Sequence, residues 1–198
     1  MWEERYSTPD YVFGKDPAQF LTEHMHLLHA GQTALCVADG EGRNSVFLAQ
    51  QGLQVTALEY APSAIAKAQD LAKAAGVSID IQEADVLRHD WADQYDAVLG
   101  IFIQFAGPEE REQLFTGMKR SVRPGGLMLL HGYTPEQIAY GTGGPPHAEN
   151  MYTTGQLATD FDGWDILENR AYERDVQEGR GHSGHSALID FVARKPAR

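Results

Sequence analysis

The chain of 198 residues has a single cysteine, Cys36. That excludes an internal disulfide and any cysteine-cluster zinc site, and Cys36 reads as a buried apolar thiol; no metal site is expected. Long apolar runs are also missing. The most apolar stretch, 97–106, is too short to cross a bilayer and contains Gln104. Basic charge is scarce: 16 Lys and Arg stand against 28 Asp and Glu, a formal net charge of −12. No basic stretch tracks a phosphate backbone, and an acidic surface is repelled by anionic lipid heads. Neither a nucleic-acid nor a membrane partner is therefore expected. Met1-Trp2-Glu3-Glu4-Arg5-Tyr6 lacks the apolar core of a signal peptide, so the expected compartment is the cytoplasm. What is present is ordinary globular composition, 42% hydrophobic and 22% charged, without repeats or low-complexity tracts. The length favours one compact domain.

From residue 33 onward, apolar strand-like runs alternate with helix-like segments. Strands are expected at 33–38, 54–60, 78–84, 95–102 and 127–130. Helices are expected at 44–51, 63–75 and 108–122, punctuated by Gly52, Pro62, Gly76 and Pro124-Gly125-Gly126. Continuous apolar strands separated by helices predict an α/β, doubly wound, mostly parallel sheet covered on both faces. Right-handed crossovers place the five C-terminal strand ends on one edge, where ligands bind in such sheets. Residues 164–176 and 186–195 read as two more strands joined by a polar turn, 177–185, and so antiparallel to each other. This makes seven strands with the last one reversed. If the first of the two is parallel to the rest, the turn carries Arg180, His182 and His185 to the ligand edge, and the Gly- and Pro-rich stretch 134–150 is a lid-like insertion.

The first strand ends in Asp39-Gly40-Glu41-Gly42-Arg43-Asn44-Ser45. Gly40 and Gly42 let the backbone approach a ligand. A dinucleotide would set its pyrophosphate here, but Asp39 repels it and Ser45 stands where a third glycine belongs. A cationic ligand reverses that sign: S-adenosylmethionine carries an ammonium and a sulfonium, and both favour carboxylates. Glu59 ends the second strand, 20 positions after Asp39, the spacing of an acid that accepts ribose hydroxyls. Asp85, with Val86, follows the third strand and can read an adenine edge. Gly100, Ile101 and Phe102 close the fourth strand beneath the ligand. Three carboxylates at successive strand ends repel one another unless a cation and hydroxyls lie between them.

This order of residues resembles the class I S-adenosylmethionine-dependent methyltransferases over about 33–133, with the reversed last strand agreeing. Trp2-x-x-Arg5-Tyr6, Tyr11-x-Phe13-Gly14 and Pro17 are similar to the start of the tellurite-resistance and thiopurine methyltransferase group. The resemblance implies one Rossmann-like methyltransferase domain over 1–198 and S-adenosylmethionine as cofactor. It implies that residues 1–30 are a cofactor-covering segment and helix, with Trp2 and Tyr11 over the methionine moiety. It gives Asp39, Gly40, Glu41, Gly42 and Asn44 to the methionine-end turn, Glu59 to the ribose, Tyr60 to a stack near adenine, Asp85 and Val86 to the adenine edge, and Gly100, Ile101 and Phe102 to the floor. Glu59 stands where Asp is commoner.

The acceptor is expected to be a small molecule, such as a thiol, or an inorganic chalcogen oxyanion. No Asn-Pro-Pro-Tyr follows the fourth strand, and Cys36 lies inside the first, away from any pyrimidine chemistry. His131, His147, His182 and His185 are candidate bases, and Arg180 a candidate anion contact; His182, Arg180 and His131 are the expected catalytic set. A monomer or homodimer is expected. The alternatives are a non-catalytic adenosyl-ligand-binding protein and, further off, a nicotinamide-dependent reductase.

Overall fold

A computed structural model describes residues 1–198. Seven strands form one sheet: β1 (Thr33–Val37), β2 (Gln54–Glu59), β3 (Asp80–Glu83), β4 (Tyr95–Ile101), β5 (Val122–Tyr133), β6 (Asp165–Glu178) and β7 (His182–Arg194), in the order β3-β2-β1-β4-β5-β7-β6. The helices are α1 (Trp2–Tyr6), α2 (Gln19–His24), α3 (Arg43–Gln50), α4 (Pro62–Ala75), α5 (Pro108–Ser121) and α6 (Thr154–Asp160). The chain divides into two compact units, 1–89 with 178–181, and 90–177 with 182–198. No helix is long and apolar enough to cross a membrane.

In the first unit, β1 and β2 pair in parallel with Thr33 opposite Gln54 and Val37 opposite Leu58, and β2 pairs in parallel with β3. Parallel pairing buries both faces, and Leu35, Cys36, Val37, Ala57 and Leu58 are buried. Pro62 opens α4 and Gly76 closes it in the left-handed conformation, as their positions predict. No side chain of α4's own caps its start. Glu3 does so from α1, accepting the Ser63 N–H at 3.0 Å and the Ser63 hydroxyl. Those bonds hold the Glu3 carboxyl below its ordinary range. Farther along, Tyr11 donates to the Lys67 carbonyl at 2.8 Å, and the Lys67 ammonium donates to the Asp10 carbonyl at 2.7 Å. The N-terminal segment is thus fastened along α4 by polar contacts.

In the second unit, β4 and β5 are parallel and β5 and β7 antiparallel, which is the expected reversal. Pro124-Gly125-Gly126 lies inside β5 rather than ahead of it. The register jumps from Tyr95 opposite Val122 to Ala97 opposite Leu127, so the tripeptide forms a bulge, with Gly125 at φ +78°. The link between β6 and β7 is also shorter than the polar composition predicts. The strands run to Glu178 and resume at His182, so His182 and His185 are strand residues. Residues 134–150 contain two 3-10 turns, Pro135–Ala139 and Ala148–Asn150. The buried Gln137 side chain accepts the Ala187 N–H at 2.8 Å and donates to Thr142 Oγ1 at 2.9 Å, and Thr142 donates to the His185 carbonyl at 2.6 Å. The insertion is therefore fastened to β7.

Candidate active site

The first unit gathers its carboxylates at the ends of β1 and β2. Glu59 is buried, and its two oxygens take three backbone donors: Gly40 N–H at 2.7 Å, and Tyr60 and Ala61 N–H at 2.9 Å each. The acid at the end of one strand thereby fixes the glycine turn after its neighbour. Ala38, just before, has φ +49°, a conformation an alanine adopts only when its surroundings impose it. Asp39 accepts the Ser45 hydroxyl. Loss of solvent pushes the Asp39 carboxyl up to about 7, and the charge of Glu59 adds to this; the Ser45 hydrogen bond and the Arg43 charge oppose it. A carboxyl so placed gains from a cation brought beside it.

The other residues expected around the donor have separate places. Tyr60 is 64% exposed, an aromatic face presented to solvent at the end of β2. Val86 is buried, and Asp85 accepts the Leu87 N–H at 3.0 Å. Glu41 is buried with both oxygens engaged, one by the Lys67 ammonium at 2.6 Å and the other by the Val12 N–H at 2.8 Å. Asn44 accepts the Ala18 N–H at 2.9 Å. Glu41 and Asn44 thus tether the N-terminal segment to the turn. Gly42 begins α3 at φ +88°, where a Cβ would lie 2.6 Å from the Ala68 Cβ; the turn needs glycine to approach α4. Tyr11 lies against α4, with Lys15 and Lys67 ammonium groups 4.7 and 5.6 Å from its ring centre. Trp2 stacks on Tyr6 at 5.8 Å. Arg180 pairs with Asp10 at 3.2 Å, both side chains well exposed.

Tyr6 stands with these residues although it is not among those expected at the site. Its ring is buried, and a Cβ on Gly40 would lie 3.0 Å from its hydroxyl oxygen. The available signal is its place four residues after Trp2, one turn along the same helical face.

The second unit brings together Phe102, His131, Tyr133 and His182. Phe102 follows β4 at φ +57°, and its N–H donates to the His131 carbonyl at 2.8 Å. Its ring stacks on His182 at 4.0 Å and meets His131 edge-on at 4.7 Å. Tyr133 Oη and His182 Nδ1 share a 2.7 Å hydrogen bond. Gln104 holds the Tyr133 backbone at both ends, accepting its N–H at 2.7 Å and donating to its carbonyl at 2.8 Å. His131 Nδ1 donates to Asp190 at 2.7 Å, and fully buried Asp190 also takes the Tyr172 hydroxyl at 2.9 Å and the Arg170 guanidinium at 3.2 Å. Gly100 and Ile101 lie in β4, and Gly100 serves packing: a Cβ there would meet Ile103 Cδ1 at 2.6 Å. His147 is exposed in the insertion.

A turn of two glycines between strand-end acids, on a sheet with this strand order, has counterparts among known proteins. Residues 34–126 match the family described as a methyltransferase domain. Over this stretch the chain is similar to methyltransferase domains. An uncharacterised protein of Mycobacterium tuberculosis is 33% identical over 111 residues, 55% of this chain and 40% of the relative, so the match spans two fifths of that relative's length. Among solved structures, TehB from Haemophilus influenzae superposes with a TM-score of 0.74 at 18% identity, covering 98% of this chain and 65% of that one. The N-methyltransferase NodS from Bradyrhizobium japonicum, in complex with S-adenosyl-L-homocysteine, gives 0.74 at 15% identity, covering 98% and 96%. At these identities the likeness to both structures is one of fold. The matched range holds Asp39, Gly40, Glu59, Asp85 and Gly100, whereas Tyr133 and His182 lie beyond it.

Proposed function

We propose that the chain transfers a methyl group from S-adenosylmethionine to a small protic acceptor, a thiol or a similar soft nucleophile. The observation that carries this is the pair Asp39 and Glu59. Burial and the charge of Glu59 drive the Asp39 carboxyl towards neutrality, and Glu59 is locked by three N–H donors beside the same turn. A pyrophosphate would meet two acids there, which disfavours a nicotinamide cofactor. The donor fits the residues present: Asp39 faces its charged end, Glu59 keeps lone pairs for the ribose hydroxyls, Tyr60 offers its exposed ring to the adenine, and Asp85 with Val86 borders the base. When bound, S-adenosylmethionine supplies an electrophilic methyl carbon on a sulfonium.

The acceptor's groups are those of the second unit. Half-buried Phe102 is a face for an uncharged molecule, with Tyr133 buried beside it at 5.0 Å, and His182 takes the proton that a thiol loses on attack. The Tyr133 hydroxyl fixes the His182 ring through Nδ1, so proton transfer runs through Nε2. His131, held by Asp190, sets the Phe102 ring from the side. An oxyanion acceptor would want a guanidinium, but Arg180 is paired with Asp10 and Arg170 with Asp190 and Glu168. Proximity supplies most of the rate in a direct displacement, and the base adds to it.

Labelled methyl transfer to a panel of thiols, phenols, amines, selenite and tellurite tests the reading. Turnover is expected with a thiol, and in Tyr133→Phe a fall in kcat of about tenfold with donor affinity unchanged. Turnover restricted to oxyanions would overturn the acceptor class, and tight donor binding without any turnover would favour a non-catalytic binding protein.

A further inference from the structure

Gly132 lies near the buried end of β5, between His131 and Tyr133, where a side chain would ordinarily pack. Its backbone is ordinary strand, without the positive φ that calls for glycine. The space calls for it instead: a Cβ there would lie 2.5 Å from Gln104 Oε1 and 2.6 Å from Gln104 Cδ. Gln104 is buried, three residues past the end of β4. β4 stops at Ile101, opposite His131, and the chain turns out of the sheet at Phe102 with φ +57°. β4 therefore ends before it can flank Tyr133, and the Gln104 amide fills the place. It accepts the Tyr133 N–H at 2.7 Å and donates to the Tyr133 carbonyl at 2.8 Å. A strand neighbour makes the same pair of bonds to one residue in an antiparallel ladder. The Tyr152 N–H adds a third bond, to the same carbonyl at 3.1 Å. The bend that leaves this gap also lays the Phe102 ring on His182 at 4.0 Å.

We infer that Gln104 is a positioning residue for methyl transfer, fixing the Tyr133 backbone so that the Tyr133 hydroxyl stands at His182 Nδ1. This rests on the reading of His182 as the base that takes the acceptor's proton. Both hydrogen bonds of the amide go to Tyr133, so its effect on the base is relayed through that residue. The backbone sets the direction of the Tyr133 Cα–Cβ bond, and the hydroxyl is at the far end of the ring that follows. A small backbone rotation there becomes a large displacement of the oxygen, and a hydrogen bond weakens steeply as its distance and angle drift. Two bonds to one residue remove the rotation that a single bond leaves. Without the amide the buried Tyr133 N–H loses this acceptor, whereas the carbonyl keeps Tyr152. Glycine at 132 is what lets the amide come so close.

The test measures thiol methylation by wild type, Gln104→Met, Tyr133→Phe and the double variant, with S-adenosylmethionine affinity read by calorimetry on the same proteins. Gln104→Met keeps the length of the side chain and removes both bonds. It should lower kcat about tenfold, as Tyr133→Phe does, with donor affinity within about twofold of wild type. The double variant should fall no further than either single one, because both changes cut one relay. Losses that multiply to about a hundredfold would mark a separate packing role and overturn the inference, as would a wild-type kcat for Gln104→Met. Gln104→Glu supplies the rescue. Its carboxylate accepts the Tyr133 N–H but turns a second oxygen on the carbonyl, and only the protonated acid donates there. Its kcat relative to wild type should be near one at pH ~6 and fall about tenfold by pH ~9. A flat ratio overturns the inference, even where Gln104→Met fails to fold. If wild type methylates no thiol, or Tyr133→Phe does so at the wild-type rate, the reading of His182 fails and Gln104 falls with it. A normal Tyr133 effect beside a silent Gln104 removes Gln104 alone.

Discussion

The carboxylate of Glu59, at the end of β2, accepts the backbone N–H of Gly40 at 2.7 Å. This one bond joins the two features that make the site visible, the acid of one strand and the glycine turn of the next. It also makes use of the length of the glutamate side chain. The longer side chain reaches the turn with one oxygen while the other holds the N–H groups of Tyr60 and Ala61.

Donor binding should depend on pH through Asp39. Its carboxyl is raised from 3.8 to about 7, so the unliganded site holds a proton in the range where an ordinary carboxylate has lost it. A cationic ligand favours the ionised form, and binding below about 7 must expel that proton. Affinity for S-adenosylmethionine should rise with pH from about 5 to about 7 and level off above. Calorimetry in two buffers of different ionisation heat should show proton release near pH ~6 and little at pH ~8. The same shift works against the unliganded fold as pH rises: the stability that protonated Asp39 contributes is complete below about 4 and lost through about 7.

Gly42→Ala should destabilise the protein by about 3 kcal/mol, combining a left-handed φ with overpacking. The new Cβ would meet the Ala68 Cβ at 2.6 Å and Cα at 2.9 Å. Ala68→Gly in the same chain should recover part of the loss, because it removes the clash but not the strained φ of +88°. Denaturant midpoints measure both; a wild-type midpoint for Gly42→Ala would show that the turn yields easily.

The insertion 134–150 should loosen at high pH. His185 lies between Asp175 at 3.0 Å and Glu173 at 3.3 Å, with Tyr140 edge-on over its ring at 4.9 Å, and Thr142 donates to its carbonyl. Hydrogen bonds to Asp175 and Glu173 raise its pKa, and Glu173 also bonds Tyr140. Glu136 adds negative charge to Glu173 and Tyr140. The raised value means the contact is complete below about 6.5 and is lost as pH climbs through the folded pKa. Hydrogen exchange over 134–150 should therefore be faster, relative to β5, at pH ~9 than at pH ~6. His185→Gln should be fast at both, and equal protection in all four cases would exclude the histidine as a latch.

The sheet is legible in the sequence because its signals are local. The apolar runs at 33–38 and 95–102, Pro62, Gly76 and the Gly40–Gly42 turn each announce their structure within a few residues. What is hidden depends on residues far apart in sequence. Nothing near Glu41 indicates that Val12 and Lys67 will occupy its oxygens, and nothing near Asn44 points to Ala18. The hairpin link reads as a long turn over 177–185 because its residues are polar, whereas Gly179 at φ +66° lets the chain reverse between Glu178 and His182. Tyr133 and His182, 49 positions apart, become neighbours only through the pairing of β5 with β7.

The most direct measurement is a titration of S-adenosylmethionine into wild type and Glu59→Ala, with reduced and oxidised nicotinamide dinucleotides as comparison ligands. Wild type should bind S-adenosylmethionine one-to-one at micromolar concentration, Glu59→Ala should lose roughly tenfold or more, and neither protein should bind a dinucleotide. Saturable dinucleotide binding, or S-adenosylmethionine binding that ignores Glu59, would contradict the assignment of this turn to a cationic adenosyl donor.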